Sequence, residues 1–236
     1  MTADDITPTA MSVNTKAGFS IVKYKGTLSA SVNSATIPHG LSGCDFCMIK
    51  NLDNANAWIV SHSSIAPDVM CLNDPGIAAS TPPIDGPYGQ ITELNSDTIT
   101  ITNGSSGGDN VGKEGSWNYI AYCWHSVPGY SAFGSYIGNN GGNFIYTGFR
   151  PAFVMFKKVN VASESWVIAD NARDPANPTQ KFLLADDPAV ENSQPSGMYD
   201  FLSNGFVLKT QTQNNSGTNF VYMAFAEQPG AFSNAR

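Results

Sequence analysis

The sequence predicts an all-β protein of two pseudo-repeated antiparallel β-sandwich units, jelly-roll or lectin-like, packed closely together. Three observations lead there. From Gly18 onward the chain is a succession of short runs rich in Val, Ile, Tyr, Phe, Trp and Thr, divided by clusters of Gly, Asn, Ser and Pro. No segment long enough for a regular helix carries a helical period. Three blocks of strand residues also occur twice, in the same order.

Residues 1–17 have no periodicity and are rich in Thr, Ala, Pro and Asp, so they read as an arm that is flexible or docked on a partner. In the first half, strands follow at 19–25, 34–37, 46–51, 58–61, 68–72, 90–94, 98–102 and 117–125. The second half offers 131–137, 144–147, 153–158, 165–169, 181–184, 206–210 and 219–226. Thr98-Ile-Thr-Ile-Thr102 alternates, which predicts one wet face and one buried face. Residues 170–173 are the place for a short helical turn. The long connections are 73–89, 103–116, 170–180, 185–197 and 211–217; with no evident core residues, they read as functional surfaces or assembly contacts.

The repeat sets the domain organisation. Phe46-Cys-Met-Ile-Lys50 returns as Phe153-Val-Met-Phe-Lys157, 107 residues later. Ala57-Trp-Ile-Val60 returns as Ser165-Trp-Val-Ile168, with Trp58 and Trp166 offset by 108. Asn118-Tyr-Ile-Ala-Tyr122 and Pro128-Gly129 return as Asn219-Phe-Val-Tyr-Met223 and Pro229-Gly230, with an offset of 101 for the glycines. The chain therefore divides into an arm (1–17), a first repeat (18–129), a second repeat (130–230) and a short tail (231–236). Trp58 and Trp166, flanked by Ile and Val, read as core anchors rather than as platforms for sugar rings. Trp117 and Trp124 are placed on opposite faces of one strand, which leaves one of them to solvent.

Composition excludes several functions. Only 13% of residues are charged and the formal net charge is −7. A nucleic-acid partner needs a basic stripe to displace counterions, and none is present. No apolar run reaches the roughly 20 residues that span a bilayer. The acidic opening Met1-Thr-Ala-Asp-Asp5 has neither the basic nor the apolar segment of a signal peptide, implying synthesis in the cytoplasm.

Candidate chemistry is sparse. Cys44 and Cys47 form a C-x-x-C without a second pair, while Cys71 and Cys123 stand alone in apolar stretches, so Cys47 and Cys123 are expected as buried free thiols and no metal is expected. His62 in Ser61-His-Ser-Ser64 suggests a hydrolase, but nucleophile-elbow glycines are missing; His39 sits in a Pro-His-Gly turn. The acids Asp85, Asp109, Glu114, Asp174, Asp186 and Asp187 all fall in loops, and no two match on neighbouring strands as a glycosidase pair requires. Asn139-Asn-Gly-Gly-Asn143 and Asp109-Asn110 offer oxygens to calcium at too low an acid density; a tight turn is the plainer reading. No cofactor is expected. If the protein binds, loops 73–89, 103–116 and 170–180 should do it, with exposed Tyr88 and Asn110 as contacts.

Tyr130-Ser-Ala-Phe-Gly-Ser-Tyr136, Phe144-Ile-Tyr-Thr-Gly-Phe-Arg-Pro-Ala-Phe-Val-Met-Phe-Lys157 and Asp200-Phe-Leu-Ser-Asn-Gly-Phe206 resemble one family. So do Trp166-Val-Ile-Ala-Asp170 with Arg173-Asp-Pro175, and Tyr222-Met-Ala-Phe-Ala-Glu227. It is an uncharacterised β-domain of tail, fibre and other virion proteins of marine bacteriophages and cyanophages. The resemblance runs from about Gly18 to Gly230 and supplies no catalytic or binding residues. It implies a virion structural protein, a tail fibre or receptor-binding component; a capsid decoration protein and a glycan-degrading tail enzyme are the alternatives. The expected partners are other virion proteins through the arm, two further copies in a homotrimer, and host surface glycan. Neither nucleic acid nor membrane insertion is expected.

Overall fold

The computed structural model describes residues 4–74, 76, 89–103, 109–115, 117–161, 164–188, 190–193, 198–210 and 213–228. The chain divides into two compact units, one of residues 1–74 and 78–125 and the other of residues 75–77 and 126–236. Both are all-β and sandwich-like. Among the described residues there is no α-helix. The helical turn expected at 170–173 is a plain turn, in which the Arg173 N–H donates to the Asp170 carboxylate at 2.7 Å.

The first unit contains β1 (Asp4–Asp5), β2 (Ala10–Asn14), β3 (Phe19–Lys25), β4 (Ser34–Pro38), β5 (Phe46–Asn51), β6 (Ile59–His62), β7 (Val69–Cys71), β8 (Gln90–Leu94), β9 (Thr98–Thr102) and β10 (Asn118–Trp124). One sheet has the order β2-β3-β10-β5-β6-β7 and the other β1-β4-β9-β8. All pairings are antiparallel except β1 with β4. Alternation decides which side chains meet between the sheets: Val22 and Tyr24 of β3, Tyr119 and Ala121 of β10, and Ile99 and Ile101 of β9 all turn into one core. The opposite face of β10 carries Tyr122 and Trp124, half-buried, with Trp124 stacked on Phe19 at 4.8 Å. Thr100, expected on a wet face, is buried because Glu93 of the adjacent bulged strand accepts its hydroxyl at 2.9 Å.

The second unit contains β11 (Ser131–Ile137), β12 (Asn143–Tyr146), β13 (Pro151–Lys158), β14 (Val167–Asp170), β15 (Lys181–Leu184), β16 (Asn192–Ser193), β17 (Tyr199–Leu202), β18 (Gly205–Leu208) and β19 (Asn219–Ala226). Its sheets run β11-β19-β13-β14-β15-β16 and β12-β18-β17. The order β3-β10-β5-β6-β7 thus corresponds to β11-β19-β13-β14-β15, and β4-β9-β8 to β12-β18-β17. Register corresponds as well. Cys123 faces Cys47 and Ser20, as Ala224 faces Val154 and Ala132. Phe46 faces His62, as Phe153 faces Asp170.

Residues 4–14 depart from expectation. The segment read as a flexible or partner-docked arm pairs within its own chain: β2 lies on the edge of β3, β1 lies on the edge of β4, and Ile6 enters the first core. β2 is exposed along its whole length, so no hydrophobic alternation announces it. β16 and β17 were likewise absent from the expected strands.

Candidate functional site

The connection from β9 to β10, which holds residues 103–116, is one of the three loops expected to bind. Its lower part belongs to the core. The Tyr24 hydroxyl donates to the Val111 carbonyl at 2.5 Å, and Val111 itself is fully buried. The Asp109 carbonyl accepts from the Asn51 amide at 2.8 Å, the Asn56 amide at 3.0 Å and the Tyr119 hydroxyl at 3.0 Å. Burial holds the Tyr24 and Tyr119 hydroxyls well above the ordinary phenol value, so they remain donors. Gly26 makes the close approach possible, because a Cβ there would lie 2.1 Å from the Lys113 carbonyl oxygen.

The second unit repeats this lock. The Tyr136 hydroxyl donates to the Gln213 carbonyl at 3.2 Å, and a Cβ on Gly138 would lie 2.0 Å from the Asn215 carbonyl oxygen. Tyr24-Lys-Gly26 and Tyr136-Ile-Gly138 are the sequence signal, a Tyr-x-Gly at the end of each unit's opening strand. It escapes notice because the first strands share nothing else.

This architecture corrects the placement of Asn110. Expected as an exposed contact, it is 1% exposed, carried inward beside Val111 when the tyrosine pins the loop. Tyr88 and most of the 73–89 connection lie outside the described residues. Among the described residues of loop 103–116, Glu114 and Gly115 are exposed and Lys113 is half-buried. Lys113 pairs with the Asp109 carboxylate at 2.8 Å and lies 5.1 Å above the ring of Trp117. Beside them an open groove of about 540 Å³ is lined by Gly26, Thr27, Ser29, Ser31, Val32, Glu114 and Gly115. The groove owes its far wall to a longer connection: residues 26–33 join β3 to β4, whereas residues 138–142 suffice between β11 and β12. Its chemistry is that of hydroxyls, glycine backbone and one carboxylate, a set suited to the hydroxyls of a small polar ligand.

The remaining candidates are fixtures of the fold. His62 is buried and its Nδ1 accepts the Ser64 N–H at 3.0 Å, while Ser61 beside it on β6 points to the other face. His39 is buried, accepting the Leu41 N–H at Nδ1 and donating from Nε2 to the Asn95 carbonyl. Asn139 and Asn143 bond to Asn214, and Asn140 accepts the Ser216 N–H, so the loop that might have offered oxygens to calcium is closed by its own amides. Loop 170–180 is held by Asp174, whose carboxylate accepts backbone N–H groups of Ala176, Gln180 and Lys181.

All four cysteines are free; Cys47 and Cys123 are buried. Cys123, expected to stand alone, faces Cys47 across β5 and β10 with their sulfurs 3.8 Å apart. Burial pushes the Cys47 thiol up. Among the described residues no group of three or more His, Cys, Asp or Glu side chains could hold a metal ion. Trp166 is the core anchor expected, fully buried, whereas Trp58 is half-buried and stacks on Tyr122 at 6.1 Å. Trp117 is partly buried against the first core. No helix among the described residues is long and apolar enough to cross a membrane.

Fold and site together define a two-unit β-sandwich protein with matching strand order and a polar groove on the first unit. Residues 2–229 match the family described as Domain of unknown function (DUF7483), and the chain belongs to that family. No curated protein and no solved structure matches the chain.

Proposed function

We propose that this protein is a structural component of a bacteriophage virion, a tail fibre or receptor-binding part that works by attachment and architecture without turnover. The observation that carries the reading is the groove beside Glu114. It lies where the connection is longer than its counterpart in the second unit, and its hydroxyls and carboxylate match the hydroxyls of a host surface glycan. The rest of the molecule supports the same reading. His39, His62, Asp174 and the 139–143 asparagines, the residues best able to serve acid–base or metal chemistry, are consumed in holding turns. Duplication of one scaffold unit accounts for the matching registers, and the protein acts as a homotrimer in the virion.

The test incubates the purified protein with host-envelope polysaccharide. Saturable binding is expected, weakened at least tenfold when Glu114→Gln and Trp117→Ala are combined, a loss of about 1.4 kcal/mol or more. Release of reducing ends would refute the non-enzymatic reading. Absence of binding would remove attachment and leave architecture alone.

A further inference from the structure

The two units carry the same pair of sheet edges, and in the first unit both are covered. In the first unit β2 covers β3 and β1 covers β4. In the second unit the start of the β11 edge is engaged locally: Val127 and Ser131 exchange backbone hydrogen bonds at 2.9 and 3.1 Å, and the Ser126 hydroxyl accepts the Phe133 N–H at 3.2 Å. The fourth edge, β12, ends its sheet, and no strand among the described residues pairs with its outer side.

The chemistry of that edge can be read from its counterpart. His39 donates its N–H to Asp97 as Thr147 does to Asn204, which aligns Thr36 with Phe144 and Pro38 with Tyr146. In the first unit the Thr36 carbonyl points outward and accepts the Ile6 N–H at 2.8 Å. Its hydroxyl donates to the Asp5 carboxylate, and Ile6, 3% exposed, fills the core. By the alternation of an antiparallel ladder, the Thr147 bond to β18 turns the backbone N–H and C=O of Phe144 and Tyr146 outward. Their side chains are exposed too, Phe144 by 44% and Tyr146 by 68%. β12 carries no charge and no proline, the usual means of keeping an edge strand from pairing.

We propose that β12 is a strand-addition site, which receives an extended segment of a partner protein running parallel to it, as β1 runs on β4. The segment donates a backbone N–H to the Phe144 carbonyl and carries an aliphatic residue at the position of Ile6. It comes from a different polypeptide, because the one segment among the described residues that adds in parallel to such an edge is spent on the first unit of its own chain. This site is separate from the Glu114 groove and stands whether or not the groove binds glycan.

A synthetic peptide of residues 1–17 is the probe, added to the full-length protein and followed by hydrogen exchange. The amides of Phe144 and Tyr146 should slow by about tenfold or more on saturation. The peptide carrying Ile6→Asp should give no protection, a control that leaves the protein unaltered, and Phe144→Pro should abolish binding of the native peptide. No protection at Phe144 and Tyr146, equal protection by the Ile6→Asp peptide, or protection confined to β4 would overturn the proposal. Concentration-dependent protection of Phe144 and Tyr146 without peptide would place a second copy on the edge and overturn the assignment to a different polypeptide.

Discussion

His39 and Asp174 show how single polar residues hold this fold, and both do so in a pH-dependent way. Burial lowers the His39 pKa below the ordinary imidazole value. The unfolded chain therefore takes up a proton near pH 6.5 before the folded one does, and stability falls as pH drops below that point. Asp174 is held below the usual carboxylate range, first by the Gln180 N–H and also by those of Ala176 and Lys181. Its contribution is complete above about pH 4 and is lost as pH falls through the lowered folded value. Urea unfolding between pH 8 and pH 3 should show two declining limbs. His39→Gln should flatten the upper limb. Asp174→Asn should flatten the lower one and cost about 1.5–3 kcal/mol near neutrality, the usual range for hydrogen bonds to a charged group. A Asp174→Asn variant with an unchanged lower limb would contradict this account.

At the scale of elements, equivalent position does not mean equivalent energy. Trp58 immediately precedes β6 and Trp166 immediately precedes β14, so the repeated sequence block corresponds to a repeated place in the strand order. Both backbone N–H groups donate to a side-chain oxygen, Trp166 to Asp186 at 3.2 Å and Trp58 to Asn73 at 2.9 Å, yet Trp166 is fully buried whereas Trp58 lies half-buried against Tyr122. Trp166→Ala should therefore cost about 3–5 kcal/mol, the range for a large buried aromatic. Trp58→Ala, with much of its area already in water, should cost well under that. Chemical denaturation of the two variants checks the order, and equal losses would contradict it. Five strands of the larger sheet correspond between units, but the connections differ, and the groove arises from that difference: the 26–33 turn is long enough to stand against Glu114.

For the whole molecule, the arm is the decisive segment. Removing residues 1–14 uncovers β3 and β4 and takes Ile6 out of the first core. Loss of the isoleucine alone removes about 1.5–3 kcal/mol, and two uncovered edges invite pairing between chains. The truncated protein should melt several degrees lower and scatter more light on warming, whereas a change in oligomer size with the melting temperature unaltered would show an arm serving assembly alone. The proposed homotrimer is tested by light scattering of the full chain at micromolar concentration, where a stable monomer would count against it.

The sequence by itself determined the fold class, most strand positions and the correspondence of the Phe–Met–Lys, Trp and closing aromatic strands. Each of these rests on local composition, whether a period of two, an apolar run bounded by turn residues or a recurring block, which the chain records directly. Phe19–Lys25 was legible from its period of two, whereas Asn219–Ala226 was legible as a continuous apolar and aromatic run, buried on both faces. β2 was not, because its residues are exposed on both faces and its place is decided by backbone hydrogen bonds to β3, which leave no trace in side-chain pattern. Of the candidate site, the loop was legible from its length, but Asn110 was assigned to the wrong side of it. Whether a polar loop residue faces solvent or core depends on a tyrosine 86 residues earlier in the chain reaching the next carbonyl. Only the tertiary structure brings Tyr24 to Val111, covers both sheet edges of the first unit and leaves β12 without a partner on its outer side among the described residues, since each of these depends on groups that meet across the fold rather than along the chain.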